Sequence, residues 1–380
     1  MYALLKPFDI EFDFETAKDY GLLGGNIAVF HQNRQTDWAA YEIAILGVEE
    51  ERNAINNEGT RFAPDQIRKS LYEMFPGNWT KKIIDLGNII TGKEPEQTYQ
   101  NVSEVVSQLI KNQISVILLG GSQDITYALT KSFDIHNKAY NLCVIDSIID
   151  SAVTDKQTDN GNYLTEIITN DSSLLHDLSI FGIQTYYNHP TKFEIFDRLY
   201  VDYFKLGEIQ QNIADTEPEI READIVSIDI NAIRNADMPA QTIARPNGIN
   251  GYDICIMTRL AGIASRNKIL GIFEYNPYFD KNKLGANLIA QMIWYYIEGK
   301  NAYIPDYPEI PKKELIKFYV NNDLIKLNFY KNPKTGRWWF EIPDITKHGQ
   351  LFACSEKDYK QAVALKISER IYHIINKTGI

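Results

Sequence analysis

Two hydrophobic periods share the chain. Short aliphatic runs recur at Tyr41 to Val48, Ile83 to Leu86, Val116 to Leu119, Leu142 to Ile145, Leu178 to Phe181, Ile225 to Ile228 and Ile269 to Phe273. Their continuous apolar character predicts parallel strands covered on both faces. Between them, apolar residues three and four apart predict helices. Ile67, Leu71 and Met74 follow Pro64, which fits a first helical turn. Val102, Val105, Val106, Leu109 and Ile110 precede the run at Ser115; Ile125, Ala128 and Leu129 follow it. Ile254, Met257, Leu260 and Ala261 share a face of a helix from Gly251 to Ala264, and another helix runs from Leu284 to Ile297. This alternation predicts one doubly wound α/β domain over residues 39–300, mainly parallel, with helices on both faces of the sheet. Residues 1–38 lack a clear period and read as an arm lying over that domain.

Residues 301–380 have a different pattern and read as a small α+β appendage. Pro305, Pro308 and Pro311 make a stiff connection. Ile316 to Val320 and Leu324 to Tyr330 predict two strands about Asn321-Asn322-Asp323. The turn Asn332 to Gly336 leads into a third strand, Arg337 to Ile342, with Trp338, Phe340 and Ile342 on one face. Ser355 opens a final helix on which Tyr359, Ala362, Val363, Ile367 and Ile371 share a face. The plainer reading is a β-meander and helix packed on the main domain; the alternative is a partner surface built on Trp338 and Trp339.

Candidate chemistry sits where three strands end. Val116 to Leu119 breaks into Gly120-Gly121-Ser122-Gln123-Asp124, Leu142 to Ile145 into Asp146-Ser147-Ile148-Ile149-Asp150, and Ile225 to Ile228 into Asp229-Ile230-Asn231. Loops at the carboxyl ends of strands are where open α/β sheets bind ligands. Asp124 is a candidate cap for the helix that begins there. Gly120-Gly121 lacks the spacing of a phosphate loop, and no histidine falls near a strand end that also holds a nucleophile. His31 and His189 read as loop and turn residues.

These three places, in this order, resemble the ureohydrolase superfamily of arginases, agmatinases and formimidoylglutamases. Pro64, Ile67 and Arg68 also resemble that family's first helix, and Glu274-Tyr275-Asn276-Pro277 with Asp280 resembles its Glu-x-Asn-Pro-x-x-Asp segment. The resemblance implies an arginase-like fold and a site for a manganese pair, with ligand positions at Gln123, Asp146, Ile148, Asp150, Asp229 and Asn231. Gln123 and Ile148 stand where the family has histidines, and Asn231 stands where it has an aspartate. One cation position keeps four oxygen donors, Gln123, Asp146, Asp150 and Asp229, a set suited to a hard ion. The other loses its donor at Ile148. The expectation is therefore no manganese pair, and either no metal or one Mg, Ca or Mn ion. Without metal, the three aspartates would need neighbouring donors or cations, and at least one pKa would rise.

The resemblance assigns Glu274 contact with a guanidinium or formimino group, with Asp146 and Glu274 as catalytic candidates and Asn276 beside them; Arg234 and Arg245, in the loops after the third strand end, are candidates for a substrate carboxylate, with a surface role as the plainer reading. No histidine lies between His136 and His176, so the family's proton-shuttling histidine has no counterpart there. The leading reading is a catalytically degenerate ureohydrolase-fold protein that binds a small amino-acid-like ligand or a protein. The alternatives are a one-metal amidine hydrolase of the formimidoylglutamase kind and a purely architectural subunit, with a homo-oligomer left open.

Composition narrows this little further. A formal charge of -11 in 380 residues argues against general nucleic-acid binding. Three scattered cysteines, Cys143, Cys255 and Cys354, fit a reducing compartment. No run of about 18 apolar residues predicts a membrane span, and the opening MYALLKPFDIEFDFET does not read as a secretory signal. A cytoplasmic protein is expected.

Overall fold

The structure, a computed structural model, describes residues 1–31, 37–152, 157–170, 172–321, 326–343 and 350–377. Its strands are β1 (Leu5–Lys6), β2 (Ala28–Val29), β3 (Ile43–Val48), β4 (Ile83–Ile89), β5 (Ser115–Leu119), β6 (Tyr140–Ile145), β7 (Leu175–Ile183), β8 (Asp202–Lys205), β9 (Ile225–Asp229) and β10 (Ile269–Phe273) in the main sheet. The order is β1-β4-β3-β5-β10-β9-β6-β7-β8, with β2 also beside β4. Every pairing is parallel except β1 with β4. The chain winds outward through β3 and β4 on one side and through β7 and β8 on the other, so β5, β10, β9 and β6 form the middle.

Alternate residues of these central strands feed two cores, which is why their sequences are apolar throughout. Ile117, Leu119, Cys143, Ile145, Leu270 and Ile272 face one side. There Ile67 and Leu71 of helix Ala63–Tyr72, Met257 of helix Gly251–Ile263 and Met292 of helix Leu284–Asn301 cover them. Val116, Leu118, Leu142, Val144, Ile269 and Phe273 face the other, under Val102 and Val106 of helix Pro95–Lys111 and Leu129 of helix Ile125–Asp134. The predicted doubly wound α/β architecture is present.

The N-terminal arm departs from expectation. It enters the sheet rather than lying over it, through β1 and β2 on β4. Gly87, at φ 78°, permits this: a Cβ there would stand 2.3 Å from the Lys6 carbonyl oxygen.

The appendage is an antiparallel meander of β11 (Ile316–Asn321), β12 (Lys326–Lys331), β13 (Trp338–Glu341) and β14 (Phe352–Cys354). Its fourth strand has no counterpart in the sequence expectation, and the tip of the first hairpin, 322–325, lies outside the described residues. The tryptophan surface is overturned: Trp338 is 6% and Trp339 1% exposed. Trp338 packs with Phe340 and Ile342 as its period predicts, while Arg221 of the main domain stacks on Trp339 at 4.4 Å and donates to the Trp338 carbonyl at 2.9 Å. The final helix is also two helices. Ser355 caps Glu356–Val363 in a capping box with Asp358, the chain breaks at Leu365 with φ 61°, and Glu369–Lys377 follows. The break takes Val363 and Ile367 off the inward face, leaving them 56% and 44% exposed, while Ala362 and Ile371 are buried.

Candidate functional site

Because β5, β10, β9 and β6 are neighbours, the loops after them meet at one end of the sheet. Gly120 and Gly121, at φ 81° and 77°, turn the chain sharply off β5 against Pro64 and the Glu50 carbonyl, which leaves no room for a Cβ at either position. Glu274, directly after β10, is also left-handed at φ 66°. A buried glutamate held in that region is strained backbone of a kind found at functional sites. Its N–H donates to the Gly121 carbonyl at 3.0 Å.

At this end the structure brings Asp146, Asp150 and Asp229 together: one oxygen of each lies within 4.8 Å of the others, and all three residues are buried. Gln123 joins them from the loop after β5. Its amide nitrogen donates to Ser227 Oγ at 3.0 Å and Tyr163 OH at 3.3 Å, which orients the amide, while Oε1 is buried with no partner. Asp146 Oδ1 accepts from the Ile148 N–H at 3.1 Å, but Oδ2 faces no donor. A neighbouring carboxyl could supply one only if protonated.

Burial raises the pKa of all three aspartates. For Asp150 the charges of Asp146 and Asp229 add to the rise, and Lys192 opposes it. For Asp229 the neighbours are Asp146 and Glu274, opposed by the N–H of Asn231 at 2.6 Å and by Arg245. Lys192, on helix Pro190–Arg198, donates to the Ile149 carbonyl, and burial lowers its own pKa. Arg245 is buried, donates to Ser147 Oγ and to the Asn231 carbonyl, and lies 5.0 Å over the Tyr187 ring.

Glu274 is braced rather than free. Oε2 accepts from Asn57 at 2.7 Å, and Oε1 from the Gln123 N–H at 2.8 Å and Asn160 at 3.3 Å. Burial pushes its carboxyl up to about 7. Asn276 is corrected from ligand to brace: fully buried, it donates to Asn57 Oδ1 and the Glu58 carbonyl, both at 2.8 Å, and accepts from the Tyr278 N–H. Arg234 also leaves the candidates, because it is bound to Asp237 at 2.7 Å on the surface. Asp124 does not cap its helix; it accepts from Tyr99 OH and Ser122 Oγ, and burial pushes it up to about 6. The Ile148 side chain offers no atom that could ligate a metal, and His189 caps helix Pro190–Arg198 on the surface. Of the polar loop 154–162, only 157–162 are described.

Sequence reasoning missed Lys192, Asn57, Asn160 and Asn188. Asn188 holds the loop after β6, accepting from the Ile149 N–H at 2.7 Å and donating to the Ser147 carbonyl at 3.0 Å. The only local signal for Lys192 was its place two residues after Pro190, a helix start facing the same sheet end.

The fold has relatives among known proteins. The sequence profile of the Arginase family matches residues 41–298. A formimidoylglutamase of Staphylococcus aureus is 22% identical over 271 residues, covering 67% of this chain and 86% of its own. Among solved structures, the formimidoylglutamase of Bacillus subtilis superposes with a TM-score of 0.67 at 16% identity, over 80% of this chain and 98% of its own. Trypanosoma cruzi formiminoglutamase, solved with Mn2+, gives 0.65 at 16% identity, over 72% of this chain and 97% of its own. Among the described residues no helix is long and apolar enough to cross a membrane.

Proposed function

The chain belongs to the arginase family, and from that premise we propose that it is a formimidoylglutamase-like hydrolase that cleaves a linear amidine C–N bond at a centre holding one hard cation. The carrying observation is the convergence of three buried carboxylates with two unpartnered oxygens, Gln123 Oε1 and Asp146 Oδ2. Buried polar atoms are nearly always paired, so two such atoms at one place favour a missing cationic partner. Charge favours it too. With Glu274 the pocket holds four carboxylates against Arg245 and Lys192, so full ionisation leaves two negative charges for a divalent ion to neutralise.

Gln123, Asp146, Asp150 and Asp229 would hold the cation. Bound there, it supplies Lewis-acid charge and lowers the proton affinity of water. The chain's own residues do the rest. Glu274, fixed by Asn57, Asn160 and the Gln123 N–H, retains acceptor capacity for an amidinium N–H. Arg245 is the cation available to a substrate carboxylate. In the net reaction, water oxygen bonds to the amidine carbon, the bond from that carbon to the amino-acid nitrogen breaks, and that nitrogen leaves as the amine. Formimino-glutamate would give formamide and glutamate.

The names of the relatives favour turnover over the catalytically degenerate reading. Binding without turnover is the second reading, favoured by one observation: Ile148 lacks any donor where the family's second cation would need one.

The test is elemental analysis after purification with manganese, magnesium and calcium, with formamide release from N-formimino-L-glutamate measured on the same protein. The expected result is one ion per chain, ion-dependent formamide release, and loss of both in Asp146→Asn. One ion without formamide would leave the binding reading. No ion would overturn the hydrolase reading and leave binding without turnover, and two manganese ions per chain would overturn the one-cation assignment.

A further inference from the structure

A cleft of about 970 Å3 opens between the main domain and the appendage, and none of its lining residues belongs to the acidic centre. Domain junctions are favoured places for ligand sites, which run to roughly 1,000 Å3. Leu260, Ile263, Ile304 and Trp338 supply an apolar lining, and Ile304 is 47% exposed there. The charged lining is Lys334, Arg337, Lys357, Lys360 and Lys366 against Asp215, Glu217 and Glu356, a basic excess on a chain of net charge -11. Three of the cations are already paired: Lys357 with Asp215 at 2.7 Å, Arg337 with Glu217 at 2.9 Å and Lys360 with Glu356 at 2.9 Å. Lys334 and Lys366 are exposed and make no ion pair among the described residues. Trp338 reaches the cleft with little of its surface, being more than nine-tenths buried and stacked on Tyr359 at 4.8 Å.

We propose that this cleft binds a small organic anion with a flat apolar body, a carboxylate or phosphate monoester on an aromatic frame. The apolar body lies against Leu260, Ile263, Ile304 and the exposed part of Trp338, and the anionic group meets Lys334 and Lys366. Such a ligand touches both units at once, so it clamps the appendage to the main domain. The site is independent of the cation centre.

8-Anilinonaphthalene-1-sulfonate (ANS) has this chemistry and is fluorescent; N-phenyl-1-naphthylamine is its uncharged analogue. Titrated into the full chain, ANS is expected to saturate at one per chain and raise the unfolding midpoint, because it binds the native state selectively. Lys334→Glu with Lys366→Glu should weaken ANS about tenfold and leave the neutral analogue unchanged. Competition by phenyl phosphate or by phenylacetate then identifies which anionic group fits. Binding that does not saturate, or that is equally tight in the charge-reversed protein, overturns the proposal.

Discussion

Two buried clusters of charge in this protein share the same sheet and differ in every other respect. Under the helix Ala63–Tyr72, Arg68 and Asp85 are both fully buried, and each of their polar atoms has a partner. Arg68 donates to Asp85 at 2.8 and 3.0 Å, to Asn88 Oδ1 at 2.6 Å and to the Gly87 carbonyl at 2.9 Å, while Tyr72 OH and the Gly87 N–H complete the carboxylate. At the carboxyl end of the sheet, Asp146, Asp150 and Asp229 crowd together with no ion pair within 4.0 Å among the described residues, and oxygens of Asp146 and Gln123 face no donor. Burial of charge therefore does not mark a site. Like charges buried together beside unsatisfied oxygens do, because the cost of that combination persists where something outside the chain, or a reaction, offsets it.

The difference has a sign that mutation can read. Arg68→Met strands the Asp85 carboxylate and should cost about 3–5 kcal/mol in chemical denaturation. Asp85→Asn and Asp229→Asn then make one substitution at two buried aspartates. The first removes a charge that Arg68 needs and should destabilise by about 3 kcal/mol. The second removes repulsion within the triad and should stabilise the cation-free protein by about 1 kcal/mol. Magnesium or manganese at a hundredfold excess over its dissociation constant should stabilise the unmutated chain by about 2.7 kcal/mol and do nothing for Asp229→Asn. If Asp229→Asn destabilises the cation-free protein as Asp85→Asn does, the two clusters are of one kind and the contrast collapses.

How far the sequence reached follows the same division between local and assembled features. The acidic and amide groups at three strand ends were legible because each strand and the loop after it are contiguous, and the family resemblance singled out Gln123, Asp146, Asp150 and Asp229 among them. What neutralises and braces them was not. Lys192 and Asn188 come from the far side of β7, and Asn57, which braces Glu274 beside them, from the loop after β3; their positions exist only once the sheet is wound. Arg234 and Arg245 looked alike in sequence; one is drawn to Asp237 three residues on, and the other is buried over Tyr187. Periodicity placed Trp338, Phe340 and Ile342 on one face but could not say what covers it, and Arg221 of the main domain covers the neighbouring ring of Trp339. Two-residue strands such as β1 and β2 are too short to carry a period.

A third pair lies between the two extremes and tests whether pairing can be switched. His373, on the last helix, bonds Asp202 of β8 at 2.5 Å, so it fastens the appendage to the main sheet. Lys377 stands beside them, bonded to Asp177 at 2.6 Å and near Asp202 at 3.4 Å, with Arg370 and Glu369 acting on the pair through their charges. The hydrogen bond to Asp202 raises the imidazole above its ordinary 6.5, and burial opposes the rise only in part. The linkage follows: between 6.5 and the folded value the native protein holds a proton that the unfolded chain has released, so the docking contribution is complete below pH 6.5 and falls as pH rises through the folded value. The contacts of Lys377 with Asp177 and Asp202, and of Arg370 with Glu219, do not involve the imidazole and keep the helix attached. The loss should therefore be small, at most about fivefold in amide protection of residues 369–377 by hydrogen exchange, corrected for intrinsic rates. His373→Gln should remove the pH dependence and leave the acidic centre's cation stabilisation intact. Protection that rises with pH in the unmutated chain would reverse the sign and rule out the imidazolium as the fastening group.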